Sequence, residues 1–153
     1  MEQLLTRSQA EAVLRRNEIG RLACFSPSAD ESCLVPISYR YHKGSVYFAM
    51  LPGRKLDYLY EHPAGVCLEV DEVDGHDDWT TVLITGTFTE LTGQEEIEEG
   101  IEALKRVARG PLRTLFETRM TSPGPLTLGA LRPAAISGRR NHWDAVAHEA
   151  TAV

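Results

Sequence analysis

Three runs rich in β-branched and aromatic residues, Ile19 to Phe25, Cys33 to Tyr41 and Ser45 to Leu51, follow one another along the chain. Only Ser26-Pro27-Ser28-Ala29-Asp30 and His42-Lys43-Gly44 punctuate them. Such runs suit a pleated, half-buried surface, and connections this short cannot hold the crossover that parallel strands require. They predict an antiparallel meander. Pro52-Gly53 breaks the third strand, after which Leu56, Leu59 and Tyr60 recur at helical spacing until Pro63 forbids continuation. Val66 to Val73 resumes a strand, Asp74 to Asp78 reads as a polar loop, and Thr80 to Leu91 is a long β-rich run in which Gly86 is the place for a bulge.

Two further helices flank this β-rich centre. Ser8-Gln9-Ala10-Glu11 reads as a capping box, with Ala10, Val13 and Leu14 on one face and an end near Asn17. Thr92-Gly93-Gln94-Glu95 reads as a second, opening a helix whose apolar stripe is Ile97, Ile101, Leu104 and Ala108 and which stops at Gly110-Pro111. Ser122-Pro123-Gly124-Pro125 is a loop, Leu126 to Ile136 contains a last strand, and Arg139 to Val153 reads as a tail. Five or six strands arriving mostly as hairpins favour a closed or nearly closed antiparallel barrel over a doubly wound parallel sheet.

The length of 153 residues fits one domain, 1–153, with a core over about 8–138. A net charge of −6 without long blocks of either sign argues against non-specific nucleic-acid binding. No apolar run approaches the roughly 20 residues that span a bilayer, and the expected location is the cytoplasm. Cys24, Cys33 and Cys67 are odd in number, lack CxxC spacing and sit in apolar strand-like runs, which predicts buried reduced thiols.

Chemistry concentrates at the turn from strand to helix between Val46 and Leu59. The first turn of a helix leaves backbone N–H groups unpaired and carries partial positive charge, so an anion is stabilised there. Arg54 and Lys55 stand at that position, where they oppose the helix dipole. Two readings follow from this feature alone: a solvated basic pair, or a phosphate clamp. No GxxxxGK[ST] or GxGxxG accompanies the turn, so neither a nucleoside-triphosphate loop nor a dinucleotide fold is supported.

The ordered set Asn17-x-Ile19-Gly20-Arg21-Leu22-Ala23, Val35-Pro36-Ile37-Ser38, Val46-Tyr47-Phe48, Gly53-Arg54-Lys55-Leu56, His62-Pro63 and Val82-x-Ile84-x-Gly86 resembles the pyridoxamine 5′-phosphate oxidase-like flavoproteins. The subgroup containing nitroimidazole-resistance proteins is the most similar. The resemblance covers residues 8 to 110 and, more weakly, 126 to 138. It implies a mainly β fold, a six-stranded antiparallel FMN-binding split barrel with a few short helices, acting as a homodimer with FMN at the subunit interface. Carried over by position, Arg54 and Lys55 would hold the FMN phosphate, Leu34, Val35, Pro36, Ile37 and Ser38 would lie beside the flavin ring, and Phe48 and Ala49 would flank the cofactor. Thr81 matches a position where pyridoxamine-phosphate oxidases carry a glutamine that reaches the flavin of the other subunit, with Trp79 close by.

Two departures limit the inheritance. Nitroimidazole-resistance relatives usually carry histidine where this chain has Ala49, so a mechanism through that side chain is in doubt. The C-terminal arginine and histidine pattern that binds substrate in true pyridoxamine-phosphate oxidases is not recognisable in Ser137-Gly138-Arg139-Arg140-Asn141-His142, which disfavours vitamin B6 oxidation. Arg139, Arg140 and His142 beside Trp143 form either a mobile basic tail or a cover for the flavin mouth.

Other constellations read as structure. His76-Asp77-Asp78 is a solvated loop, since adjacent ligands do not make a closed coordination shell, and no metal is expected. Glu69 and Asp71 have no partner pair at glycosidase-like separation, and no Ser-His-Asp or Cys-His nucleophile set is identifiable. The expected function is therefore an FMN-dependent oxidoreductase acting on a small molecule. The alternative is a non-catalytic protein holding haem or the deazaflavin F420 on the same fold.

Overall fold

The computed structural model describes residues 1–106 and 126–142. Eight strands in these residues form one antiparallel sheet: β1 (Glu2–Leu4), β2 (Ile19–Ser26), β3 (Glu31–Ser38), β4 (Arg40–His42), β5 (Ser45–Met50), β6 (Val66–Gly75), β7 (Asp78–Glu90) and β8 (Thr127–Asn141). The helices are α1 (Arg7–Arg16), α2 (Arg54–Glu61) and α3 (Gln94–Leu104). The ladder order is β3-β2-β6-β7-β8-β5-β4, with β1 added to the far end of β8. β3 approaches β5 without any ladder between them, so the barrel is split along that seam.

That order keeps both predicted antiparallel hairpins, β2–β3 and β4–β5, but breaks the meander between them. The run Cys33 to Tyr41 breaks at Tyr39 into β3 and β4, and the third predicted strand, β5, pairs with β4 and β8 and never with β3. Tyr39 is fully buried and donates its hydroxyl to the Leu14 carbonyl at 2.8 Å, anchoring α1 at the corner where the chain changes sides. Local propensity identified the strands, but long-range pairing decided their neighbours. The expected six strands become eight because the run Cys33 to Tyr41 splits in two and β1 carries too little pattern to be read.

Alternation along the strands builds the core. Leu22, Val46, Phe48, Leu68, Val70, Val82, Ile84 and Leu131 point inward and are sealed from solvent together with the apolar face of α1. Each such side chain contributes about 1.5–3 kcal/mol on burial. A second cluster packs α3, through Ile101 and Leu104, against Tyr47, Leu128 and Ala130 on the outside of β5 and β8. β5 is thus covered on both faces, which explains its uninterrupted apolar sequence.

Gly86 sits at a register shift in the β7–β8 ladder, as predicted, and a Cβ there would lie 2.1 Å from the Arg132 carbonyl oxygen. The first predicted capping box moves and the second does not form. α1 is capped by Thr6 with Gln9, two residues before the predicted Ser8, and α3 starts after Gly93 without a side-chain cap. In α2 the buried residues are Leu56, Tyr58 and Leu59, whereas Tyr60 is half-exposed. β8 runs through Arg139 to Asn141, so the start of the predicted tail is strand. Only Cys24 is buried; Cys33 and Cys67 are partly exposed, and all three are free. Ala108, the Gly110-Pro111 stop, the 122–125 loop, Trp143 and the rest of the tail lie outside the described residues.

Candidate functional site

The seam of the barrel opens into a cleft of about 660 Å³. β4 covers the free edge of β5 only from Ser45 to Tyr47, leaving Phe48 to Met50 without a ladder partner on that side. β3 pairs with β2 alone, so it too turns an unladdered edge outward. Cys33 and Val35 form one wall and Ala49 and Met50 the other, with Leu126 alongside. The floor is the turn Leu51 to Gly53 and the start of α2, where Arg54 and Lys55 line the cleft.

The chain shapes this end locally. Pro52 and Gly53 stop β5, and Gly53 takes an extended conformation with no side chain to cap α2. The first intrahelical bond, from Asp57 N–H to the Gly53 carbonyl at 3.1 Å, leaves the earlier N–H groups of α2 without intrahelical partners. The far end of the helix is tied down by Glu61, which accepts from the Ser26 hydroxyl at 2.7 Å and the Ser28 N–H at 2.6 Å. The Ser28 hydroxyl first, then the Ser26 hydroxyl and the Ser28 N–H, hold the Glu61 carboxyl below its usual range. α2 therefore presents its positive end to the cleft from a fixed direction.

The two basic residues differ. Arg54 Nη1 lies 3.1 Å from Glu31 Oε1 across the cleft mouth, an exposed pair that compensates part of its charge. Lys55 has no ion-pair partner among the described residues. The basic pair at the helix start is thus unequal, with Arg54 lightly engaged by Glu31. Burial, the neighbouring Cys33 and a hydrogen bond with it push the Cys24 thiol behind the wall up to about 12, against a smaller opposing pull from Lys55.

The remaining predicted residues divide between places. Val35, Ala49, Arg54 and Lys55 meet in the cleft. Ile37 and Phe48 are core, Phe48 stacking on Phe88 with ring centroids 6.0 Å apart. Leu34, Pro36 and Ser38 alternate to the outer face, and Pro36 lines a second depression with Arg16, Asn17, Ile19, Arg21 and Asp71. Trp79 and Thr81 stand opposite Asn141 and Arg139 at the far end of β7, away from this cleft. Sequence reasoning missed Cys33, Met50, Leu51 and Leu126 as wall residues. The signal for Cys33 was available, since it alternates with Val35 onto the same face. Among the described residues no cluster of His, Cys, Asp and Glu is arranged to hold a metal, and no helix is long and apolar enough to cross a membrane.

Comparison with known proteins adds three findings. Residues 6–140 match the sequence profile of a family described as pyridoxamine 5′-phosphate oxidase. An uncharacterised protein of Rhizobium meliloti is 30% identical over 88 residues, a match that spans 58% of this chain and 56% of that protein's length. Among solved structures, an FAD-binding protein from Mesorhizobium loti superposes with a TM-score of 0.74 at 24% identity, covering 93% of this chain and 99% of that one. A candidate 5-nitroimidazole antibiotic resistance protein from Bacteroides thetaiotaomicron gives a TM-score of 0.67 at 12% identity, covering 92% and 89%. These similarities establish the split-barrel fold.

Proposed function

The chain belongs to the pyridoxamine 5′-phosphate oxidase family, and on that premise we propose that it is a flavoprotein holding FMN in the cleft between β3 and β5. One observation carries the reading: an apolar slot with unladdered backbone edges runs directly onto an uncapped helix N-terminus bearing Arg54 and Lys55. The slot suits a flat ring whose polar edge reads backbone groups, and the helix end suits one phosphate. FMN is preferred to FAD because a single helix terminus serves a single phosphate group and no Gly-rich loop accompanies it.

The role follows from what the wall offers. Among the described residues lining the cleft, only Cys33, Arg54 and Lys55 carry ionisable side chains, and His, Asp and Glu are absent from its wall. The flavin would supply the electron transfer, while Val35 and Ala49 orient the ring and exclude water and the helix end fixes the phosphate. We assign an FMN-dependent oxidoreductase acting on a small molecule.

A homodimer completes the proposal. By ladder register Ile19, Leu34, Val73 and Leu83 share the outward face of β3-β2-β6-β7, and all four are exposed. Trp79 and Thr81 lie on that same face, so in the proposed dimer they would face the second copy. The visible spectrum of the purified protein, followed by titration of the flavin-free protein with FMN and with FAD, tests the cofactor. Flavin bands and tighter binding of FMN are expected. Failure to bind either flavin overturns the reading, and a monomer by light scattering in the FMN-loaded state overturns the dimer.

A further inference from the structure

Cys24 and Cys33 are direct cross-strand partners in the β2–β3 ladder. Directly opposed residues share a face, and both side chains point inward, Cys24 within the core and Cys33 packed against it. Facing Cα atoms in an antiparallel pair lie about 4.5 or 5.5 Å apart, and both spacings fall within the roughly 4.4–6.8 Å that a disulfide spans. Cβ atoms so placed stand about 4.5–5.5 Å apart, slightly beyond the 3.5–4.5 Å a relaxed disulfide needs. A bond here would be strained, hence easily reduced again.

The two thiols are not equivalent. Cys24 is 3% exposed, whereas Cys33 is half-buried and forms part of the cleft wall. Oxidant arriving through the cleft meets Cys33 first.

We propose that Cys24 and Cys33 form a reversible disulfide, with Cys33 the sulfur that reacts with a hydroperoxide and Cys24 the one that resolves it. In the first step the Cys33 thiolate attacks one peroxide oxygen, the O–O bond breaks, and the departing hydroxide takes a proton to leave as water. Cys33 is then a sulfenic acid. In the second step the Cys24 sulfur attacks the Cys33 sulfur, the S–O bond breaks, and the Cys24 proton leaves with the hydroxide as water. Two thiols and one hydrogen peroxide become one disulfide and two waters. The modification site stands on the ladder geometry alone. Its coupling to the cleft rests on the FMN reading: a bound flavin covers Cys33 and shields it.

Both cysteines fall in one tryptic peptide, Leu22 to Arg40, while Cys67 falls in another. After mild hydrogen peroxide and alkylation with iodoacetamide, the 22–40 peptide is expected to lack two hydrogens and to carry no alkyl group. Dithiothreitol before alkylation should restore two alkylation sites. Cys24→Ser should strand Cys33 as a sulfenic acid that dimedone traps, and Cys33→Ser should leave Cys24 unmodified. A peptide that takes two alkyl groups after peroxide, or a disulfide that uses Cys67 or a second chain, overturns the proposal. With FMN at ten times its Kd, the rate of Cys33 oxidation should fall about tenfold. If the disulfide forms at the same rate with FMN bound, the coupling fails while the pair stands.

Discussion

The β7–β8 ladder and the β3–β5 seam are made from strands with the same inward and outward alternation, yet one closes and the other opens. β7 is laddered on both edges, to β6 and to β8, and its inward residues Val82 and Ile84 are sealed. At the seam β3 is laddered on one side and β5 loses its β4 partner after Tyr47. Side chains that alternate identically therefore meet core in the first region and a cleft in the second. Where the ladder runs out, the fold leaves backbone groups and a helix terminus free to bind something.

Phe48 gives the sharpest way to break this division, because its position in the resemblance places it beside the cofactor while the structure places it in the sealed scaffold. Phe48→Ala should cost about 3–5 kcal/mol of stability, read as a lower urea midpoint with an unchanged slope. Any loss of FMN affinity should follow from the loss of fold. A variant of full stability that no longer binds FMN would move Phe48 from the scaffold to the seam.

The opposite behaviour is expected of the cleft floor. Arg54→Ala with Lys55→Ala should leave the urea midpoint nearly unchanged, since both side chains line an open cleft. FMN affinity should fall by about 3 kcal/mol, the scale on which charged hydrogen bonds are lost. Isothermal titration with FMN and with riboflavin separates the roles, because riboflavin lacks the phosphate and should bind both proteins alike. Equal FMN affinity in the double variant would remove the phosphate clamp.

Legibility in the sequence followed the range of the forces involved. Strands and helices governed by local pattern were readable: Ile19 to Phe25, the Pro52-Gly53 break and the Gly86 register shift all appear where residue type placed them. Pairing was not readable, since nothing local to Ser45–Met50 says that its partner is β8 rather than β3. The cleft was legible in half. Arg54, Lys55, Val35 and Ala49 came from the turn and the family's order of motifs, but Leu34 to Ser38 were taken as a unit when alternation sends only every second residue inward. The Glu31–Arg54 contact joins residues from two elements and had no signature in either.

That contact supplies a smaller and finer test. Glu31→Gln removes the carboxylate that holds Arg54 while keeping the side chain's size. An exposed ion pair contributes about 0.2–1 kcal/mol, so stability should change by less than that and FMN should bind up to about fivefold more tightly. Weaker FMN binding in Glu31→Gln would mean that Glu31 positions Arg54 for the phosphate instead of competing with it.

The least effect belongs to the scaffold's outer edge. Arg16 at the end of α1 donates Nε–H to Glu72 Oε2 at 2.7 Å, and Asn17 donates to the same oxygen at 2.7 Å, joining α1 to β6. The Arg16 hydrogen bond is the main reason that the Glu72 carboxyl is held below its ordinary value, with Asn17 and the Arg16 charge adding to it and burial opposing. Because the folded-state pKa is the lower one, the unfolded chain binds the proton more readily as pH falls. The stabilisation is therefore complete above the unfolded carboxylate value of about 4.3 and is lost as pH drops through the lower folded value. Arg16→Ala should cost about 0.5 kcal/mol at pH 7, since the guanidinium side of the pair is mostly exposed and solvent screens it. Urea midpoints of the two proteins, measured from pH 7 down to pH 3, should converge at the acid end. A gap that stays constant with pH would show that Arg16 acts there through packing of its stem on α1 and not through Glu72.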